Sequence, residues 1–220
     1  MAQGSGPRLF VVLGASGAGK SSFLRAGLLP RLARDDAAFL PLPVIRPERA
    51  ALTGENGLLG ALTKVFPSRS PDELLGAIGG GAEALRPLFA ELVAAATTGH
   101  VAGEADERPP AIILPIDQAE ELVTGEGMQE GGRLLDLVRD LAALEDPVIL
   151  VVFAIRSDAY DALERAKALE GLRQSTMPLL PMPRSAFKEV IEGPARRLAE
   201  ADGRFSFDPQ LVERLIGELD

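Results

Sequence analysis

The octapeptide Gly14-Ala15-Ser16-Gly17-Ala18-Gly19-Lys20-Ser21 constrains this chain more than any other feature. It meets every fixed position of G-x-x-x-x-G-K-[ST], and the apolar run Leu9–Leu13 leads into it. A strand, a glycine turn and a helix in that order form a phosphate cradle. Gly14, Gly17 and Gly19 let the backbone wrap closely, so that successive N–H groups point at phosphate oxygens. The helix starting near Lys20 adds its positive dipole end. Lys20 is expected to reach the β- and γ-phosphates, and the Ser21 hydroxyl to ligate Mg²⁺. Ala15, Ser16, Ala18 and Ser22 complete the expected nucleotide-binding set. Such a loop serves kinases, transporter motors, GTPase switches and signalling ATPases alike, so the rest of the chain must distinguish them.

Apolar strand-like runs alternate with helical ones, which argues for a three-layer α/β fold around a mainly parallel, five-stranded sheet. Leu9–Leu13 reads as a buried central strand, followed by a helix over Ser21–Leu29 that Gly27 and Pro30 weaken or bend at its end. "LPVIR" (Leu42–Arg46) reads as the second strand, stopped by Pro47. A helical region over 48–97 is broken at "TGENG", "PSRSP" and "GGG", and Leu85, Leu88, Phe89, Leu92 and Val93 lie at amphipathic spacing. Gly99–Pro110 is a loop by composition. Ala111–Ile116 is the third strand, with Pro115 placed among its last residues, where a lost hydrogen bond matters least. A helix over Gly131–Leu144 precedes Val148–Asp158, the strongest strand signal in the chain. A further helix over Ala159–Leu169 and a weak fifth strand at Met177–Leu180 follow. From Ser185 onward the pattern is helical, with Asp208-Pro209 as a cap and first turn.

Asp117 ends the third strand as a Walker B carboxylate should, and its task there is to hold Mg²⁺. Glu120 and Glu121 stand at the third and fourth positions beyond it. Acids at the C-terminal end of a central parallel strand face the ligand crevice, so either is a candidate to orient or deprotonate water. A solvated acidic helix start is the plainer alternative. Arg156, at the end of the Val148–Ile155 strand, is placed to contact a γ-phosphate or to pair with Asp158 or Asp161. Arg46 has the same ambiguity, with a salt bridge favoured. His100, the one histidine, lies in a polar loop and is not expected to act in catalysis.

The 220 residues are 46% hydrophobic and 25% charged, a globular balance, with a net charge of −9 and no dense basic run. The electrostatic footprint of a nucleic-acid binder is therefore missing. No cysteine occurs, which removes disulfides, thiolate metal sites and cysteine nucleophiles. No apolar run has the length of a membrane span and the first residues lack a secretion signal, so a cytoplasmic location is expected.

The segments "GASGAGKSSFLRAGLLPRL", "VIRP", "IDQAEEL", "FAIRSDAYDAL" and "VIEGPARRLAE" occur in this order over nearly the whole chain. Together they resemble the STAND class of signalling NTPases, in particular the novel STAND NTPases. The resemblance implies an ATPase-type core (8–183) with an additional strand between the P-loop strand and the Walker B strand. It also implies that 184–220 is the start of a C-terminal helical lid, cut short. Such proteins use ATP and Mg²⁺, with GTP left open, to switch a multidomain receptor between a closed state and an oligomerising one. Sensor and effector domains flank the switch, and many members serve bacterial defence or regulation. Carried over, Lys20 and Ser21 take the phosphate and magnesium roles, Asp117 holds the metal, and Glu120 and Glu121 match the acidic pair. Arg156 matches a sensor arginine, and Pro194 the proline that packs near the adenine.

Two departures stand out. Ala119 occupies a position where members often have Phe. Gln118 follows Asp117 where vigorous P-loop ATPases place a catalytic Glu, so slow hydrolysis is expected. A nucleotide or small-molecule kinase is the main rival, but 48–97 is poor in the basic and aromatic residues of an acceptor site. A nucleotide-binding module without hydrolysis is the other. No LSGGQ-like signature of a transporter ATPase is present.

Overall fold

The computed structural model describes residues 6–98, 109–124, 127–202 and 207–218. His100 and most of the Gly99–Pro110 loop lie outside the described residues. The chain divides into two compact units, one up to Leu179 and one from Leu180.

In the first unit five strands form one sheet: β1 (Leu9–Gly14), β2 (Phe39–Pro41), β3 (Ala111–Asp117), β4 (Ile149–Arg156) and β5 (Gln174–Pro178). Their order is β2-β3-β4-β1-β5, and each pairing is parallel. β4 thus lies between the P-loop strand β1 and the Asp117 strand β3, the inserted strand that the resemblance implies. The central strands are nearly continuous apolar runs because both faces of a parallel sheet are covered.

Side chains alternate between those faces. Leu9, Val11, Ile112, Leu114, Ile116, Val151, Phe153 and Ile155 point into the larger core. That core is filled from α3 (Leu58–Val65), α4 (Pro71–Gly79), α5 (Ala82–Thr97) and α6 (Met128–Ala143). The breaks before α3, α4 and α5 fall in the glycine- and proline-rich interruptions of the sequence. Ser70 caps α4 reciprocally with Glu73, whose carboxyl the Ser70 backbone N–H and hydroxyl hold below its usual value. Val12, Ile113, Val152 and Ala154 face the other side, where Leu24 packs. An apolar recess of about 260 Å³ remains there, walled by Phe10, Phe23, Leu32 and Phe39.

Five local expectations are corrected. The second strand is shorter and earlier than Leu42–Arg46, and it is split. Phe39–Pro41 pairs with β3, Pro43 interrupts, and Ile45 resumes as a single bridge to Ile116. Pro115 sits inside β3, opposite Val152, and not at its end. Its carbonyl accepts from Ile45 N at 2.9 Å, so its missing N–H also faces β2, on the side where that strand gives out. β5 begins at Gln174, because a polar edge strand carries no apolar signal. The helix over Ala159–Leu169 is instead two 3₁₀ turns around α7 (Tyr160–Glu164).

The helix after the P-loop continues beyond the expected stop. It comprises α1 (Lys20–Ser22), a π-wound stretch Phe23–Leu28 and α2 (Leu29–Leu32). In the wider turn Leu29 N donates to Leu24 O, and Pro30 falls in the first turn of α2, where its missing N–H costs little.

The second unit contains α8 (Arg184–Asp202) and α9 (Pro209–Gly217), which contact each other. Asp208 caps α9 by accepting from Gln210 N, and Ala195 and Val212 are buried.

Candidate nucleotide site

β1 delivers Gly14, buried, to the start of the loop, and Ala15–Gly17 are exposed beyond it. Gly17 and Gly19 have φ of 76° and 86°, the left-handed region where a side chain adds strain, so the turn depends on glycine. Lys20 folds back over this loop, its Nζ donating to Gly14 O and Ala15 O at 2.8 Å each. The ammonium therefore stands over the cradle, held by carbonyls that phosphate oxygens can replace as acceptors.

Ser21 and Asp117 are brought together from opposite halves of the chain. Ser21 Oγ donates to Asp117 Oδ1 at 2.9 Å, joining the P-loop helix to the tip of β3. Asp117 is 1% exposed, and the same oxygen accepts from Gln118 N at 3.1 Å. Its other oxygen, Oδ2, is buried without a hydrogen bond. Two guanidinium groups face it at ion-pair range: Arg25 Nη2 at 3.4 Å and Arg46 Nε at 3.6 Å.

After Asp117 the chain turns sharply. Gln118 adopts φ 56°, and the 3₁₀ turn Ala119–Leu122 separates the two acids. Ala119 is fully buried. Glu120 faces the cleft, and its Oε2 accepts from Arg156 N at 3.2 Å. Glu121 turns away and accepts from Glu48 N at 2.7 Å, latching the segment that follows Arg46. Gly131 lets α6 approach this turn, since a Cβ there would lie 2.5 Å from Leu122 O.

Arg156 projects from the end of β4 and is exposed. Its Nε donates to Asp158 Oδ1 at 3.0 Å, and Nη2 pairs with the second carboxylate oxygen. The Asp158 hydrogen bond raises the guanidinium pKa, and the Arg156 hydrogen bond holds Asp158 below its usual value. Ser16, Gly17, Gly19, Lys20, Ser21, Ser22, Asp117, Gln118, Glu120 and Arg156 enclose one open cleft of about 430 Å³. Pro194 lies within α8 of the second unit, and its side chain is exposed.

Arg25 was not legible as a site residue. The signal available was its place four residues after Ser21, one helical turn on. Arg46 was legible only as a strand-end cation.

The sequence profile of the Novel STAND NTPase 1 family matches residues 2–220. The chain belongs to that family. As a novel STAND NTPase it is a P-loop nucleotide-binding module. No curated protein matches it by sequence. Among solved structures it resembles the Aeropyrum pernix ORC2 protein, in a structure of its ADPNP-ADP complexes. Identity is 14%, 97% of this chain and 63% of that one are covered, and the TM-score is 0.54. The A. pernix ORC1 protein in complex with DNA is similar at 16% identity, with 98% and 50% covered and a TM-score of 0.53. The chain thus spans between half and two thirds of these proteins, and it shares with them the fold of P-loop AAA+ ATPase domains.

Proposed function

We propose that the chain is the switch module of a STAND-type signalling ATPase. It binds Mg-ATP, hydrolyses it slowly and so controls the oligomerisation of a larger multidomain receptor. The observation that carries this reading is the Ser21–Asp117 contact of 2.9 Å, which joins the P-loop hydroxyl to the Walker B carboxylate.

The residues at that contact suit magnesium. A hydroxyl and a carboxylate are hard oxygen donors, and Mg²⁺ takes a few of these beside its own waters. The Oδ2 of Asp117 is buried without a hydrogen bond and is faced only by two guanidinium groups at ion-pair range, so it keeps lone pairs for a cation. Ser21 Oγ and Asp117 would hold the ion, which supplies charge neutralisation across the β- and γ-phosphates.

The protein groups then have separate tasks. The loop N–H groups and Lys20 bind and orient the phosphates. Arg156, released from Asp158, is placed to meet a γ-phosphate. Glu120 is the acid we assign to water, because it faces the cleft while Glu121 is engaged with Glu48 N. Gln118 offers no base directly after Asp117, in keeping with slow turnover.

ATP is preferred to GTP because the ORC2 structures contain adenine nucleotides. The ORC1 relative binds DNA, but a net charge of −9 without a basic run argues for a different partner here. We assign 184–220 to the helical lid of the family, and the oligomer, sensor and effector domains to the full receptor. Bacterial defence and a cytoplasmic location belong to the same reading.

Phosphate release with water alone and with a panel of phosphoacceptors tests the function. Release to water well below the roughly 10 s⁻¹ median of enzymes is expected, unaffected by acceptors. Transfer to an acceptor would establish a kinase, and no release at all a pure binding module.

A further inference from the structure

We propose that Arg25 and Arg46 gate the metal position, sharing Asp117 with it so that a divalent cation settles there only together with a polyphosphate. This rests on the reading of Asp117 as a metal ligand.

Asp117 is the one buried acid among the described residues, and its two oxygens are treated differently. Oδ1 is satisfied by Ser21 Oγ and Gln118 N. Oδ2 faces two cations and bonds to neither, for Arg46 Nε is itself buried without a hydrogen bond. At 3.4 and 3.6 Å the arginines are held by charge, at distances longer than a charge-assisted hydrogen bond. They are therefore poised to leave.

Both come from ordered positions. Arg25 rides on the π-wound turn one helical turn beyond Ser21. Arg46 follows the Ile45 bridge to β3, its own N–H donates to Asn56 O at 2.8 Å, and Glu121 secures Glu48 two residues later.

Two guanidinium groups against one carboxylate leave an excess positive charge beside Ser21. A bare dication arriving there meets repulsion from both half-buried guanidinium groups, which solvent screens only in part. A polyphosphate reverses the balance, because its oxygens accept from the arginines and neutralise the cation at once. The arginines also stand in for the cation when it is missing, so metal-free nucleotide still finds compensating charge.

The test measures Mn²⁺ binding to the nucleotide-free chain by the loss of its free-ion resonance signal, in wild type, Arg25→Gln and the Arg25→Gln/Arg46→Gln double variant. Calorimetry with ATP in excess chelator runs beside it. Arg25→Gln is the safeguard against misfolding, since that side chain is 43% exposed. Each arginine removed should tighten Mn²⁺ binding, by about tenfold in the double variant, and weaken metal-free ATP binding by a similar factor. Unchanged Mn²⁺ binding in a folded variant would overturn the gate. Adding Asp117→Asn separates the two ideas. If it leaves the Mn²⁺ site of the double variant intact, the metal assignment fails as well. If Asp117→Asn abolishes the magnesium dependence of ATP binding in wild type while the arginine variants change nothing, only the gate fails.

Discussion

Glu120 and Glu121 are neighbours with the same side chain and opposite surroundings. The 3₁₀ turn sends one toward the phosphate cleft and the other to the backbone of Glu48. Glu120→Gln should leave ATP binding near wild type and lower single-turnover phosphate release on the order of a hundredfold, the scale of a lost general base. Glu121→Ala should instead cost about 1–2 kcal/mol of stability, because Glu48 N loses a charged acceptor. Hydrolysis per folded molecule should hold in that variant. Thermal denaturation and phosphate release on both proteins check this, and loss of hydrolysis in Glu121→Ala alone would reverse the assignment. Neither fate was legible in the sequence, which places both acids one helical turn beyond Asp117. Arg25 and Arg46 escaped for the same reason. Their meeting at Asp117 joins three segments remote in the chain, and no local spacing encodes it.

Elements were legible in proportion to their burial. β1, β3 and β4 are enclosed by other strands and helices, so their sequences are apolar runs that stand out. β5 is exposed along its whole length and β2 is interrupted by proline, so neither announces its limits. The contact of α6 with the loop before α3 was not legible either. Glu130, in the first turn of α6, accepts from Leu52 N at 2.8 Å, Thr53 N at 3.1 Å and Thr53 Oγ1 at 2.8 Å. Burial works to raise its pKa, but the Leu52 N–H, the Thr53 hydroxyl and the Thr53 N–H together hold it below the ordinary 4.5. A depressed carboxyl contributes stability that is present above the unfolded value and is lost as pH falls through the folded one. Glu130→Gln should thus cost about 1–2 kcal/mol near neutral pH. The gap to wild type should narrow as pH falls from neutral to about 3, as the lowered Glu130 carboxyl takes up its proton and the two side chains become alike in charge. Denaturant titration at the two pH values checks the sign, and a gap that widens in acid would contradict it.

At the scale of the whole molecule, the sequence motifs and the sheet order agree: P-loop, inserted strand and Walker B carboxylate lie along one edge of a parallel sheet. That agreement makes phosphate binding the centre of the account. Lys20 is the residue to remove, because it bonds only loop carbonyls and contributes nothing to the core. The direct measurement is a calorimetric titration of Mg-ATP into folded wild type and Lys20→Ala. Wild type should bind in the micromolar range, about −8 kcal/mol. Lys20→Ala should lose on the order of 1.5–3 kcal/mol, or roughly one to two decades of affinity. Equal affinity in the two proteins would contradict the nucleotide site itself.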